Sequence, residues 1–186
     1  MMIEEFLYKL RINLANNPKS RNWKHWIAQI DLKTCESCRT MHGKIYPIKL
    51  TVADSPPLHL YCRCEIKPMN TVNSGECSKE GKNGADWWLI KENALPSYYI
   101  SKDDLLAAGW YYGKEPAKYA PGKMVFGGIF RNDEGLLPEK AGRVWFEVDL
   151  NYYRGKRNGH RLLWSNDGLF FVTYDHYQSF LEVVGG

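Results

Sequence analysis

Four short apolar segments follow one another in the last quarter of the sequence: RVWFEVDLNY (143–152), HRLLWSN (160–166), LFFVTYD (169–175) and FLEVV (180–184), separated by turns rich in Gly, Asn and Asp. Links this short can join strands only antiparallel, because a parallel pair needs a crossover of roughly a dozen residues or more. Upstream lie two helical signals. Residues 85–94 form a helix-like run that ends before Leu95-Pro96, since the residue before proline is pushed out of the helical region. Ser101 opens a second helix as its N-cap, with Asp104 in a capping-box position and Gly109 as the stop. Helices followed by a run of strands predict an α+β fold, its N-terminal helices packed on a twisted antiparallel β-sheet.

The first half reads differently. Ile3, Phe6, Leu7, Leu10 and Leu14 recur at helical spacing, predicting a helix over about 2–16 that Asn17-Pro18 interrupts. A second helix is expected from Ser20, as N-cap, to Ile30, with Trp23, Trp26 and Ile30 on one side. Residues 35–69 read as loop and short strand. The polar, Gly- and Ser-rich stretch TVNSGECSKEGKN (71–83) has the composition of a linker. The expected division is therefore a small cysteine-rich subdomain at 1–70, a linker at 71–83 that holds Cys77 as a bystander, and a second domain at 84–186.

Charge says little about partners. The net charge is +4, but residues 1–83 hold 13 Lys+Arg against 8 Asp+Glu, and residues 84–186 hold 12 against 13. A nucleic-acid binder is marked by clustered charge, not by its total. The opening MMIEEFLYKL lacks the basic start and apolar core of a signal peptide, and no run is long enough to span a membrane. No membrane partner is expected; localisation is left open, the cytoplasm until delivery or secretion by a specialised route being one reading.

In RVWFEVDLNY, alternation places Val144, Phe146, Val148 and Leu150 on one face and Arg143, Trp145, Glu147, Asp149 and Asn151 on the other. A basic turn follows, Arg154 to Arg161, and His176 lies in a later turn. Taken singly, these are consistent with a solvated turn and an incidental histidine. Together with LPSYYISKDDLLAAGW (95–110), APGKMVFGGIF (120–130), NDEGLLPEKAGRVWFEVDLNY (132–152), KRNGHRLLWSNDG (156–168) and TYDHYQSF (173–180), they carry a resemblance. Residues 86–184 resemble the barnase-type microbial ribonucleases.

That resemblance implies an endoribonuclease acting on single-stranded RNA, without a catalytic cofactor, by transesterification to a 2',3'-cyclic phosphate. It makes Glu147 the general base and His176 the general acid, and it puts Lys102, Arg157 and Arg161 at the phosphate. Phe130, Asn132, Glu134 and Tyr177 become substrate-binding residues, with guanine preferred through the carboxylate of Glu134. The loop departs from the family at Arg131 and Asp133, which leaves base preference and phosphate affinity less determined than catalysis. A barstar-like acidic inhibitor is the implied partner. The competing expectation is a phage structural or RNA-binding protein whose ribonuclease-like domain is inactive.

Cys35-x-x-Cys38 and His59-x-x-Cys62-x-Cys64 are two clusters about 20 residues apart, a zinc-ribbon-like spacing. Four of these five could hold a structural zinc; disulfides or free thiols are the alternatives. The strings DLKTCESCRTMHGKIYPI and PPLHLYCRC resemble the end of the Mu F-like phage head-morphogenesis family, over about residues 23–68. Such domains are found fused to toxins, so the resemblance implies a toxin cargo and phage capsid or portal proteins as partners.

Overall fold

The computed structural model describes residues 1–185. Its strands and helices are α1 (Ile3–Asn16), β1 (Lys19–Ile27), α2 (Glu36–Met41), β2 (Ile45–Pro47), β3 (Glu65–Asn73), α3 (Ala85–Glu92), β4 (Tyr99–Ser101), α4 (Lys102–Ala107), β5 (Met124–Phe130), β6 (Trp145–Asp149), β7 (Arg161–Ser165), β8 (Phe170–Thr173) and β9 (Leu181–Val184). Among the described residues no helix is long and apolar enough to cross a membrane.

All the strands join one nine-stranded sheet, in the order β2-β1-β3-β9-β8-β7-β6-β5-β4. The meander β5 to β9 is antiparallel throughout, as the short turns required. The sheet as a whole is mixed. β4 runs parallel to β5, and β3 runs parallel to β9 through Thr71↔Glu182 and Val72↔Val183. Both pairs are joined by long connections that contain helices, which is what parallel neighbours need.

Two sequence expectations fail for identifiable reasons. Residues 19–27 are strand, not helix. Ser20 Oγ does accept from the backbone N–H of Asn22 and Trp23, at 3.1 and 2.8 Å, as an N-cap would, but here it shapes an irregularity in β1 where the register with β3 shifts. Trp26 is fully buried and Trp23 packs edge-on against Phe171, so both aromatics are covered from opposite sides of the strand, and their spacing of three reads like one helical face. The polar segment 71–83 is not a free tether either. Its first residues complete β3, Val72 and Cys77 are fully buried, and Asp86 accepts from the backbone N–H of Gly75 and Cys77. Composition missed this because the anchoring comes from strand pairing and from groups outside the segment: Asp86, Asn151, which accepts from the Lys79 N–H, and Tyr174, which donates to Cys77 O.

The sheet has a core on each face. On one, α1 and α3 pack through Phe6, Leu10 and Leu89 against Val72, Val148, Leu150, Leu162 and Val172. On the other, Ile45 and Met69 from the first half meet Leu136, Leu137, Trp145, Leu163, Phe171 and Phe180. Trp23 reaches across this second core to Phe171, with ring centroids 5.8 Å apart. The first 73 residues thus supply side chains to both cores. A third, smaller cluster of Leu105, Trp110, Ala120 and Val125 seats α4 against β5.

Candidate active site

Glu147 lies at the centre of β6, on the same face as Trp145, paired across to Leu163 and beside Gly128. Its carboxylate sits over Gly127, where an added Cβ would come within 2.6 Å of Oε1. Glycine is therefore what gives the carboxylate its room. Tyr177 donates its phenolic hydrogen to Glu147 Oε2 at 2.5 Å, and burial together with the Glu147 charge pushes that phenol well above its usual range.

His176 and Tyr177 occupy the turn between β8 and β9, both with left-handed backbone (φ 59° and 70°). Two bonds hold this strained turn: the His176 N–H donates to Gly159 O at 3.0 Å, and the Tyr177 N–H donates to Thr173 Oγ1 at 3.0 Å. Gly159 is required here because a Cβ would lie 2.9 Å from the His176 nitrogen. The imidazole is exposed and stacks at a tilt on Tyr177, with centroids 4.7 Å apart.

The cations are organised by a residue that sequence reading placed on this face without giving it a role. Asp149 is 1% exposed. It accepts a fork from Arg157, Nε to Oδ2 at 2.8 Å and Nη2 to Oδ1 at 2.5 Å. Arg161 Nε lies 3.1 Å from the same Oδ1, an ion pair without hydrogen-bond alignment, while its Nη1 donates to the carbonyls of Asn158 and His160. Burial opposes the Arg157 charge, but Asp149 and Glu147 outweigh it and hold the guanidinium protonated. Lys102, the first residue of α4, is half-buried with its ammonium 4.9 Å from the ring centre of Tyr112.

These groups line one continuous depression. A pocket of about 220 Å³ is bounded by Lys102, Arg157, Arg161, Glu147, His176 and Tyr177. A larger one of about 550 Å³ shares Glu147, His176 and Tyr177 and continues along the loop 129–134. Phe130 packs on Tyr177 at 5.2 Å, and the Glu134 carboxylate is exposed. Asn132 is buried, with its amide committed to Leu137 and Glu139, so its side chain shapes the loop. Arg131 and Asp133 pair with each other at 2.9 Å in solvent. Arg154 and Lys156 of the basic turn are exposed and do not line the cleft.

The cysteine clusters meet elsewhere. Cys35, Cys38 and His59 form one group and Cys38, Cys62 and Cys64 a second, sharing Cys38. His59 Nε2 lies 3.2 Å from Cys35 Sγ and 3.3 Å from Cys38 Sγ, and Cys38 and Cys62 sulfurs are 3.8 Å apart. The four cysteines are free thiols, with no disulfide among the described residues. A backbone N–H from Cys64 helps lower the Cys62 thiol to about 7, whereas burial raises that of Cys38.

One cleft thus brings together a carboxylate, an imidazole and three cationic side chains. The chain belongs to the ribonuclease family, whose model matches residues 73–184; residues 10–67 match the model described as Phage Mu protein F like protein. A ribonuclease of Heyndrickxia coagulans is 43% identical over 102 residues, which covers 54% of this chain and 94% of that protein. Ribonucleases of Bacillus intermedius and Bacillus pumilus are likewise 43% identical over 102 residues, covering 54% of this chain and 63% of theirs.

Proposed function

We propose that the chain is an endoribonuclease that cleaves single-stranded RNA by metal-independent transesterification. The observation that carries this reading is the sharing of one cleft by Glu147, His176, Lys102, Arg157 and Arg161. Glu147 takes the proton from the ribose 2'-hydroxyl as the 2'-oxygen bonds to phosphorus. The bond from phosphorus to the 5'-oxygen breaks, and His176 gives that oxygen its proton. The products are a 2',3'-cyclic phosphate and a free 5'-hydroxyl. Charge builds on the non-bridging oxygens in the transition state, where cations already fixed by Asp149 need no reorganisation to meet it. The nucleophile belongs to the substrate, so no catalytic cofactor is called for.

The loop 130–135 is assigned to the base, with guanine preferred. Glu134 would accept from the N1–H and N2–H edge of guanine, which adenine does not reproduce, over a floor formed by Phe130 and Tyr177. Asn132 acts through the loop it shapes. In the same reading the chain is a toxin, phage-associated or polymorphic. Its first 70 residues serve packaging or delivery next to capsid or portal proteins, and an acidic barstar-like inhibitor covers the cations in the producer.

The five-residue sulfur and histidine cluster is assigned to a structural zinc. Its donor set fits: His59 donates Nδ1–H to the carbonyl of Leu60 at 2.8 Å, which leaves Nε2 as a lone pair aimed at two thiols. Cys38 and three of Cys35, His59, Cys62 and Cys64 would hold the ion, tying two loops together where little core exists.

Incubation of the full chain with RNA in excess chelator tests the nuclease reading. Cyclic-phosphate ends should accumulate, and Glu147→Gln and His176→Gln should each lower turnover by a factor on the order of 10² or more. Binding of RNA without cleavage by the wild type would favour the inactive, structural alternative.

A further inference from the structure

The larger part of the cleft has a wall that the ribonuclease segment does not provide. His42, from the turn after α2, lines it together with Phe130, Glu134, Glu147, Tyr177 and Gln178. It lies in the segment matched by the Mu F-like model and outside the one matched by the ribonuclease model.

His42 is fixed on both sides. Its Nδ1 accepts the backbone N–H of Ala28 at 3.0 Å. The next residue, Gly43, turns with φ +83° and donates its N–H to Trp26 O at 3.0 Å. A Cβ on Gly43 would lie 3.2 Å from Gln178 O, so the chain passes hard against the turn that carries His176. Two residues on, Ile45 N–H donates to Leu136 O at 2.8 Å, which ties the same segment to the end of the loop 130–136. With Nδ1 occupied as an acceptor, the proton of the neutral ring sits on Nε2. Burial favours that neutral form, although Asp175 partly opposes it. Among the described residues no hydrogen bond engages Nε2, and the ring borders the cleft.

We propose that His42 is a specificity-determining residue of the RNA cleft, its Nε2–H donating to the acceptor edge of the base seated against Phe130 and Glu134. The proposal rests on the nuclease reading above. It gives the base two recognition points from two halves of the chain: a carboxylate that accepts, and an imidazole that donates. Guanine offers an acceptor at O6 where adenine offers an amine, so a donor at this wall selects for guanine. It also makes the first half of the chain part of the substrate site.

Two variants separate this role from a structural one. Asn at position 42 places an oxygen near the position of Nδ1 and keeps the bond to Ala28 while removing the distal donor. Gln places an amide N–H near the position of Nε2 and gives up the bond to Ala28. The full chain and its variants His42→Asn and His42→Gln are assayed on guanylyl and adenylyl dinucleotides, with melting temperatures recorded alongside. His42→Asn should lose about 3- to 10-fold in kcat/KM on the guanylyl substrate, mainly through KM, with the adenylyl substrate unchanged and the fold intact. His42→Gln should keep guanylyl preference. Equal losses on both substrates, no loss on either, or faster cleavage of both would overturn the proposal, the last by showing that this wall merely obstructs the cleft. Failure of the nuclease reading is distinguishable, because wild-type chain would then cleave neither dinucleotide.

Discussion

Replacing Asp149 by Asn removes one charge while keeping the shape of the side chain. In the folded protein that carboxylate is 1% exposed and meets Arg157 through two hydrogen bonds and Arg161 at 3.1 Å. Asparagine leaves one acceptor and turns an N–H₂ group toward guanidinium donors, so two largely buried cations lose their counter-charge. Breaking a buried ion pair from one side costs about 3–5 kcal/mol. For a chain of this size that corresponds to a fall in melting temperature of roughly 6–20 °C. Asp167→Asn serves as the comparison, since its fork to Arg143 is equally well formed but the carboxylate is 32% exposed and the Arg143 guanidinium, 8% exposed, keeps its bond to Pro138 O; a smaller cost than for Asp149→Asn is expected there. Urea unfolding of both variants, followed by fluorescence, decides between them. Arg157→Met in the Asp149→Asn background should cost less than it does alone, because the cation it removes is already unpaired. If Asp149→Asn unfolds within about 1 kcal/mol of the wild type, the account of the cation cluster is wrong.

Three further outcomes are expected. Gly127→Ala should lower kcat/KM by about 10²-fold with little change in melting temperature, because the new Cβ, 2.6 Å from Glu147 Oε1 and 2.8 Å from Cγ, displaces the base by a good fraction of an ångström; unchanged activity would remove Glu147 from its role. Burial, then the nearby charges of His42 and Lys19, lower the pKa of His25 from 6.5 to about 4, so between those values the unfolded chain binds a proton that the native one refuses. Stability present above pH 6.5 should therefore fall by up to about 3 kcal/mol as the pH drops to 4. His42 and His160, also lowered by burial, act in the same direction; urea midpoints across this range should decline less steeply in His25→Gln, and an identical slope would refute the assignment. Protein prepared with zinc should retain one ion per chain and lose it in Cys38→Ser, the residue common to both donor groups, as read by metal analysis; wild-type chain without bound zinc would exclude the site.

The elements that carry the proposed site were largely legible because they are local. Ser101 caps α4 by accepting from the Asp104 N–H at 3.0 Å, which puts Lys102 at the first helical position. Alternation in β6 set Glu147 and Asp149 on one face, and β7 follows with Arg161 directly across from Asp149. The tie between Asp149 and its two arginines was not visible, because alternation names a face and cannot say which charges on it are buried together. Gly127, at the middle of β5, and Gly159, just before β7, are explained by the space above them, which belongs to Glu147 and His176.

The sequence by itself determined strands β6 to β9 and the approximate starts and stops of α3 and α4, since these rest on period-2 alternation and capping chemistry; the proposed acid, base and cations came from the family resemblance of contiguous motifs. Only the tertiary structure decided that the two halves form one sheet. The β3 to β9 pairing is made by backbone groups more than a hundred residues apart, and backbone hydrogen bonds leave no mark in composition. The same distance hid His42. Nothing near residue 42 speaks of the cleft; it arrives there because β1, β2 and the turn at Gly43 fold the first half over the core beneath Trp145 and Phe171.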